Sequence, residues 1–168
     1  MRNRSLLAVL LVLAVAGAGA VVLLDGTEQT TVTFVDGEND TTLATVEVNV
    51  SDSFDERYTG LSDHESLGED EGMLFVHPRE ATHGYVMRDM AFPIDIVFVA
   101  ENGTITTIHH ATVPPEGEDS PTYEGYGKYV VEIPYEYTTE HGIEVGDRVE
   151  IPEENRTTQT ATATASDT

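Results

Sequence analysis

An uninterrupted run of 19 apolar or small residues, 6–24, follows a short basic opening and ends at Asp25. A helix of that length spans roughly 28 Å, close to the roughly 30 Å hydrocarbon core of a bilayer. The run therefore predicts one membrane-crossing helix and not part of a globular core. It separates a short N-terminal flank from everything after it.

A cleaved signal peptide is the alternative to an uncleaved anchor. Two Ala-Gly-Ala triplets, which end at Ala18 and at Ala20, have the small residues that a cleavage site requires. Residues 21–24 nevertheless continue the apolar run past both triplets. Arg2 and Arg4 lie on the short flank, so the positive-inside rule keeps the N-terminus cytoplasmic. An uncleaved chain is a single-pass protein of the cell membrane with an extracellular domain, whereas cleavage makes that domain secreted.

The exported part is intensely acidic. It holds six of the eight Lys and Arg residues and all 31 Asp and Glu residues, a formal charge of −25. Nucleic acid and anionic membrane surfaces need a basic footprint, so both are disfavoured as partners. Self-repulsion of this size opposes compaction unless salt screens it. The composition therefore predicts a halophilic protein whose stability rises with molar salt.

Cysteine is absent, so the exported domain has no disulfides or thiolate sites and needs a packed core. Alternating β-branched runs supply the residues for one. Four sequons match the N-glycosylation acceptor pattern, and Asn102 and Asn155 are the leading candidates because one follows a strand in a turn and the other lies in a tail.

Strand and turn signals alternate along the rest of the chain. Residues 31–35 and 44–50 predict a hairpin around the turn-rich segment 36–40. Ser53 with Glu56 forms a capping-box signature for a short helix that ends at Gly60. Further strands are predicted at 73–76, 94–100, 104–112, 127–133 and 143–151, with a second short helix at 135–141.

These elements predict a mainly β fold, a single compact sandwich or barrel-like domain with two short helices after the transmembrane helix. The predicted units are the signal anchor or signal peptide 1–24, a linker with the first strand 25–45, the β-rich domain 46–151, and a disordered tail 152–168 rich in Thr and Ala.

Residues 46–151 resemble the uncharacterised family called domain of unknown function 192. The resemblance rests on six blocks in the expected order, such as Tyr85-Val86-Met87-Arg88 and Phe92-Pro93-Ile94-Asp95. It implies a compact, often exported, mainly β domain without a settled activity. The chain departs from the family pattern where Val86, Arg88, Asp89 and Met90 replace Trp, Lys, Asn and Thr. The six blocks are 56–61, 71–75, 85–88, 92–98, 128–132 and 141–147.

Asp95 stands in an otherwise apolar strand, where an unpaired carboxylate is expensive to bury. Arg88 and Lys128 are the obvious partners, because the chain has few cations. The alternative is an Asp that caps a loop or orients backbone. A polar patch for a small ligand is predicted around this position, formed by Tyr85, Met87, Arg88, Asp95, Lys128 and Glu132.

The histidines show no ligand spacing typical of a zinc site, and His109 and His110 point to opposite faces of a strand. No metal site and no cofactor are predicted, since phosphate-binding glycine loops and nucleophile elbows are also absent. Catalytic residues cannot be selected among 31 acids by sequence.

Three functions remain open. The first is a membrane-anchored, extracytoplasmic binding or accessory module for a small polar ligand that is anionic or sugar-like. The second is a structural or interaction domain of the cell envelope. The third is a hydrolase that uses Asp95 or Glu132 as its base.

Overall fold

The computed structural model describes residues 28–156. The predicted anchor 6–24 and both cleavage positions lie outside the described residues. Between residues 28 and 156, no helix is long and apolar enough to cross a bilayer.

The described chain is mainly β with two short helices, as predicted. In chain order its elements are β1 Gln29–Val35, β2 Thr42–Ser51, α1 Phe54–Thr59, β3 Glu71–Tyr85, β4 Ile94–Val99, β5 Ile105–Ala111, β6 Tyr123–Pro134, α2 Tyr137–Glu140, β7 Arg148–Glu150 and a final 3-10 turn Glu153–Asn155.

All seven described strands belong to one sheet in the order β5-β4-β6-β3-β2-β1-β7. Neighbouring strands are antiparallel except β2 and β3, which run parallel. The sheet curls into a half-barrel whose outer strands meet at one end, where Thr104 bridges to Arg148 and the Ile105 amide donates to the Asp147 carbonyl over 2.8 Å. Of the two predicted architectures, the one curled sheet corresponds to the barrel-like domain and not to the sandwich.

The apolar strand β4 is buried on both faces, because each face of the sheet packs its own core. Val97 and Val99 join the larger core, whereas Ile96 and Phe98 join a second one. Alternation along a strand sends successive side chains to opposite faces, which explains why residues 96–99 are all apolar.

The local signals near the N-terminal end of the domain are confirmed. β1 and β2 form the predicted hairpin. The Ser53 hydroxyl accepts from the Glu56 amide and the Glu56 carboxylate accepts from the Ser53 amide, which completes the capping box, and α1 ends at Gly60 with φ 52°. Both signals act within a few residues, so their outcome does not depend on distant contacts.

The boundaries of two strands differ most from the predicted ones. β3 extends to Tyr85, with an irregularity between Val76 and Ala81, although its apolar signal stops at residue 76. β7 has only three residues, because Gly142 and Gly146, at φ 64° and 105°, hold the preceding segment in turns.

The first residues of the predicted disordered tail, 152–156, pack on the domain, and the rest of that tail, 157–168, lies outside the described residues. Asn155 is only 3% exposed, and its amide donates to Glu28 over 2.6 Å. A glycan on Asn155 would require this contact to open, so the structure argues against that candidate site. Asn102 lies exposed in the turn between β4 and β5 and stays a predicted site.

Candidate functional site

A cavity of about 290 Å³ opens between α1 and β3. Tyr85, Arg88 and Glu132 of the predicted patch line it. The other polar or charged groups around it include Arg57, His77 and His83, and the apolar wall includes Leu61, Phe75 and Met90. The cavity therefore combines a few polar groups with an apolar wall, which is typical of small-molecule sites.

Glu132 reaches the cavity from the core side. It pairs with Met73 of β3 and Ile96 of β4, and strand alternation directs it to the face of Val130, in the second apolar core. It is 6% exposed, and the described part of the chain supplies no hydrogen bond or ion pair to its carboxyl group. Burial raises the pKa of Glu132 to about 8, so it is mostly protonated at neutral pH.

Tyr85 and two histidines form one wall. The Tyr85 hydroxyl and His77 Nε2 are joined by a 3.0 Å hydrogen bond, and the Tyr85 ring packs edge-on against Phe75 and Phe98. The His77 and His83 rings stack with their centroids 3.5 Å apart. Burial, with His83 and Arg57 nearby, lowers the pKa of His77 to about 4, so this imidazole is neutral at pH 7.

Two guanidinium groups face the same cavity. Arg57, on α1, donates to the carbonyl oxygens of Asp52 and Val76, which hold the group without neutralising its charge. Arg88 donates to the Tyr58 carbonyl over 3.1 Å and lies 4.3 Å above the Tyr58 ring, with its Nε 3.7 Å from Asp89. Among the cavity-lining residues of the described chain, Glu132 is the one acid.

Asp95 is not part of this cavity, and neither predicted cation is its partner. Its buried carboxyl group accepts four hydrogen bonds: one joins it to His110 Nδ1 at 2.6 Å, and the others come from the Glu136 amide and from the amide and hydroxyl of Thr138. Asp95 thus anchors the turn into α2, where Glu136 has φ 64°. This arrangement corresponds to the loop-capping alternative.

Met87 and Lys128 also lie apart from the cavity lining. Met87 is buried in the second core, and its backbone amide donates to the Ser120 hydroxyl. Lys128 donates to Glu101 over 2.6 Å, and this hydrogen bond raises the pKa of the lysine. The predicted patch is therefore divided: Tyr85, Arg88 and Glu132 meet, whereas Met87, Asp95 and Lys128 do not join them.

Arg57, His77 and His83 are the site residues that the sequence did not select. His77 and His83 stack only because β3 is irregular between Val76 and Ala81. Arg57 lies in the family block 56–61, and this was the sequence feature that could have identified it as a site residue. Within residues 28–156, no group of three or more potential metal ligands is present.

The chain is similar to a protein family and to solved structures. The family model DUF192, described as "Uncharacterized ACR", matches residues 35–151. A crystal structure from Sinorhizobium meliloti, described as a candidate transcription regulator, has a TM-score of 0.66 and 26% identity over 73% of this chain and 92% of that one. A protein of unknown function from Novosphingobium aromaticivorans has a TM-score of 0.66 and 27% identity, over 81% and 94% of the two chains. No curated protein matches the chain.

Proposed function

The chain belongs to the DUF192 family of uncharacterised proteins, and from this premise we propose that it is a binding module for a small polar ligand. One observation carries the proposal: the Glu132 carboxyl group is buried beside a cavity without a hydrogen-bonding partner in the described chain. An unpartnered buried acid lowers stability, so its presence is explained best by a ligand that completes its hydrogen bonds.

The cavity also supports binding better than an envelope domain whose charges serve stability alone. Lys128 pairs with Glu101, and Arg148 pairs with Asp40, as a purely structural role requires. Arg57 and Glu132 instead line one opening without pairing with each other. A cation and a buried neutral acid that do not bond to each other leave both groups able to contact a ligand in the cavity.

The hydrolase alternative is now limited to Glu132. The four hydrogen bonds of Asp95 occupy its carboxyl oxygens, so it is not an accessible base. Glu132 has a pKa near that of a general acid, but a second acid is missing among the described residues that line the cavity. Regulation through DNA is not favoured, because a net charge of −23 repels the phosphate backbone.

A thermal-shift and NMR screen of chemically diverse polar small molecules tests the binding proposal. Compounds that bind in the cavity should stabilise the wild type and lose most of that effect in Arg88→Ala. Lys128→Ala is the matched control, because it removes one cation away from the cavity and should bind like the wild type. If no compound class distinguishes Arg88→Ala from Lys128→Ala, the envelope-domain alternative is the better one.

We further propose that residues 6–24 hold this domain outside the cell membrane, as their length and the flanking arginines predict. The full-length protein should then sediment with membranes and resist extraction by salt but not by detergent. Mass measurement of the mature N-terminus separates this outcome from cleavage after Ala18 or Ala20. A shortened chain in the soluble extracellular fraction would contradict the anchor.

A halophilic character is the third part of the proposal. Screening of the acidic surface should raise the melting temperature as KCl increases from about 0.1 M, where the Debye length is about 10 Å, to about 1 M, where it is about 3 Å. The measurement is a salt series followed by circular dichroism. A melting temperature that stays flat or falls across this range would contradict adaptation to salt.

A further inference from the structure

We propose that the cavity beside α1 binds a small organic carboxylate, with the anionic group at Arg57 and Arg88 and an apolar body against Tyr58 and Val86. This inference rests on the proposed binding function and adds the chemical class and the orientation of the ligand.

The charge around the cavity is opposite to that of the whole protein. Acids outnumber basic residues 31 to 8 in the sequence, yet two guanidinium groups and one acid line this opening among the described residues. That acid, Glu132, is mostly protonated at neutral pH, so the two guanidinium groups are offset by one nearby carboxylate, Asp89, which lies 3.7 Å from Arg88 Nε and outside the cavity lining. A guanidinium group matches the planar geometry of a carboxylate, so two of them favour this anion.

The apolar wall indicates that the anion carries a hydrophobic body. Leu61 and Phe75 line the cavity but are each only 1% exposed. The apolar surface that a ligand can cover belongs to the lining residues Tyr58 and Val86, which are 63% and 46% exposed. An inorganic anion would leave these surfaces in water, whereas an organic acid would cover them. The volume of about 290 Å³ is small for a ligand site, which favours a compact acid.

Glu132 gives the proposed ligand a second contact. As a neutral acid it can donate a hydrogen bond to a carboxylate oxygen or to another acceptor on the ligand. The charged and titratable groups that line the cavity with it are Tyr85, His77 and His83 from β3, Arg57 and Tyr58 from α1, and Arg88. Burial raises the pKa of Tyr85 well above its usual value, lowers the pKa of His77 to about 4 and also lowers that of His83, so Glu132 is the group expected to titrate between pH 7 and 9.

Ionisation of Glu132 would place a second negative charge beside the bound carboxylate. Affinity should therefore be constant below about pH 7 and fall as pH rises through the pKa of about 8, approaching tenfold per pH unit. Glu132→Gln keeps a neutral hydrogen-bond donor and should remove this dependence.

The test is calorimetric titration of the full chain with benzoate, benzyl alcohol, benzylammonium and inorganic phosphate, at a fixed salt concentration that keeps the protein folded. Benzoate should bind at least about tenfold more tightly than the other three probes. Arg57→Gln and Arg88→Gln should each weaken benzoate by about tenfold to a hundredfold, the loss expected for one charge-assisted contact, whereas Lys128→Gln should leave it unchanged.

The possible failures differ from one another. Equal or tighter binding of benzyl alcohol or benzylammonium would keep the cavity as a binding site but overturn the carboxylate class. Binding of phosphate as tightly as benzoate would contradict the proposal that the ligand has an apolar body. Absence of binding by all four probes, together with an unproductive screen of polar compounds, would overturn both this inference and the proposed function.

Discussion

Glu132→Gln is expected to be more stable than the wild type at neutral and alkaline pH. The folded protein holds the pKa of this buried acid at about 8, whereas in the unfolded chain it returns to about 4.5. Between these values the unfolded state releases a proton that the folded state keeps, so wild-type stability falls by about 1.4 kcal/mol per pH unit. The advantage of the variant should grow from near zero below pH 4 to on the order of 5 kcal/mol above pH 8.

Urea unfolding at constant salt, repeated from pH 4 to pH 9, measures this difference. Glu124→Gln is the control, because it removes the same charge from an exposed position on the same strand. Its stability relative to the wild type should change little with pH. A Glu132→Gln variant that parallels the wild type across the series would show that Glu132 is ionised or hydrated in the folded protein.

If Glu132→Gln stabilises the protein, that result is evidence that Glu132 is retained for function and not for stability. Selection retains residues that lower stability mainly where activity needs them. If Glu132→Gln stabilises the protein and also removes the pH dependence of benzoate binding, one acid accounts for both effects. Stabilisation without any effect on ligands would favour the envelope-domain alternative.

Asp95→Ala is expected to lower the free energy of unfolding by about 3–5 kcal/mol, the range for breaking a buried polar network. The substitution removes the acceptor of four hydrogen bonds and leaves the amides of Glu136 and Thr138 without it. Each buried donor that loses its partner costs about 1–3 kcal/mol. The turn into α2 should loosen first, which amide hydrogen exchange at Thr138 would detect.

Two variants separate this network from the general effect of losing a carboxylate. Asp147→Ala removes an acid that also accepts from two backbone amides, those of Gly37 and Glu144, but in an exposed setting, and should cost about 1 kcal/mol. His110→Ala removes one Asp95 partner that is partly in solvent and should cost a similar amount. Equal losses for Asp95→Ala and Asp147→Ala would mean that burial of the network contributes little.

Much of the fold was predictable from local patterns. The β1–β2 hairpin, the capped helix α1 and the twice-buried strand β4 follow from turn residues, a capping box and an apolar run. Each signal is set by interactions between residues close in the chain or by burial of a whole strand. The second half of β3 gave no such signal, because its residues are mostly polar and are held by pairing with β6.

Only three of the six predicted patch residues line the cavity, because long-range strand pairing decides which side chains meet. Tyr85, Arg88 and Glu132 were selected by residue type and family block, but their meeting depends on the pairing of β3 with β6, strands of 15 and 12 residues. Arg57 and the stacked histidines were missed. Lys128 was included because cations are few, although its partner Glu101 lies 27 residues away in the chain.

By itself, the sequence determined the family, the mainly β class, the local elements and the extreme acidity, since each depends on composition or on neighbours along the chain. Only the tertiary structure decided that the strands form one curled sheet, that Asp95 anchors a turn, and that Glu132 borders a cavity. Those outcomes depend on strand register and on which side chains share a sheet face. A shift of one residue in pairing would exchange Glu132 with its neighbour Val131 and abolish the site.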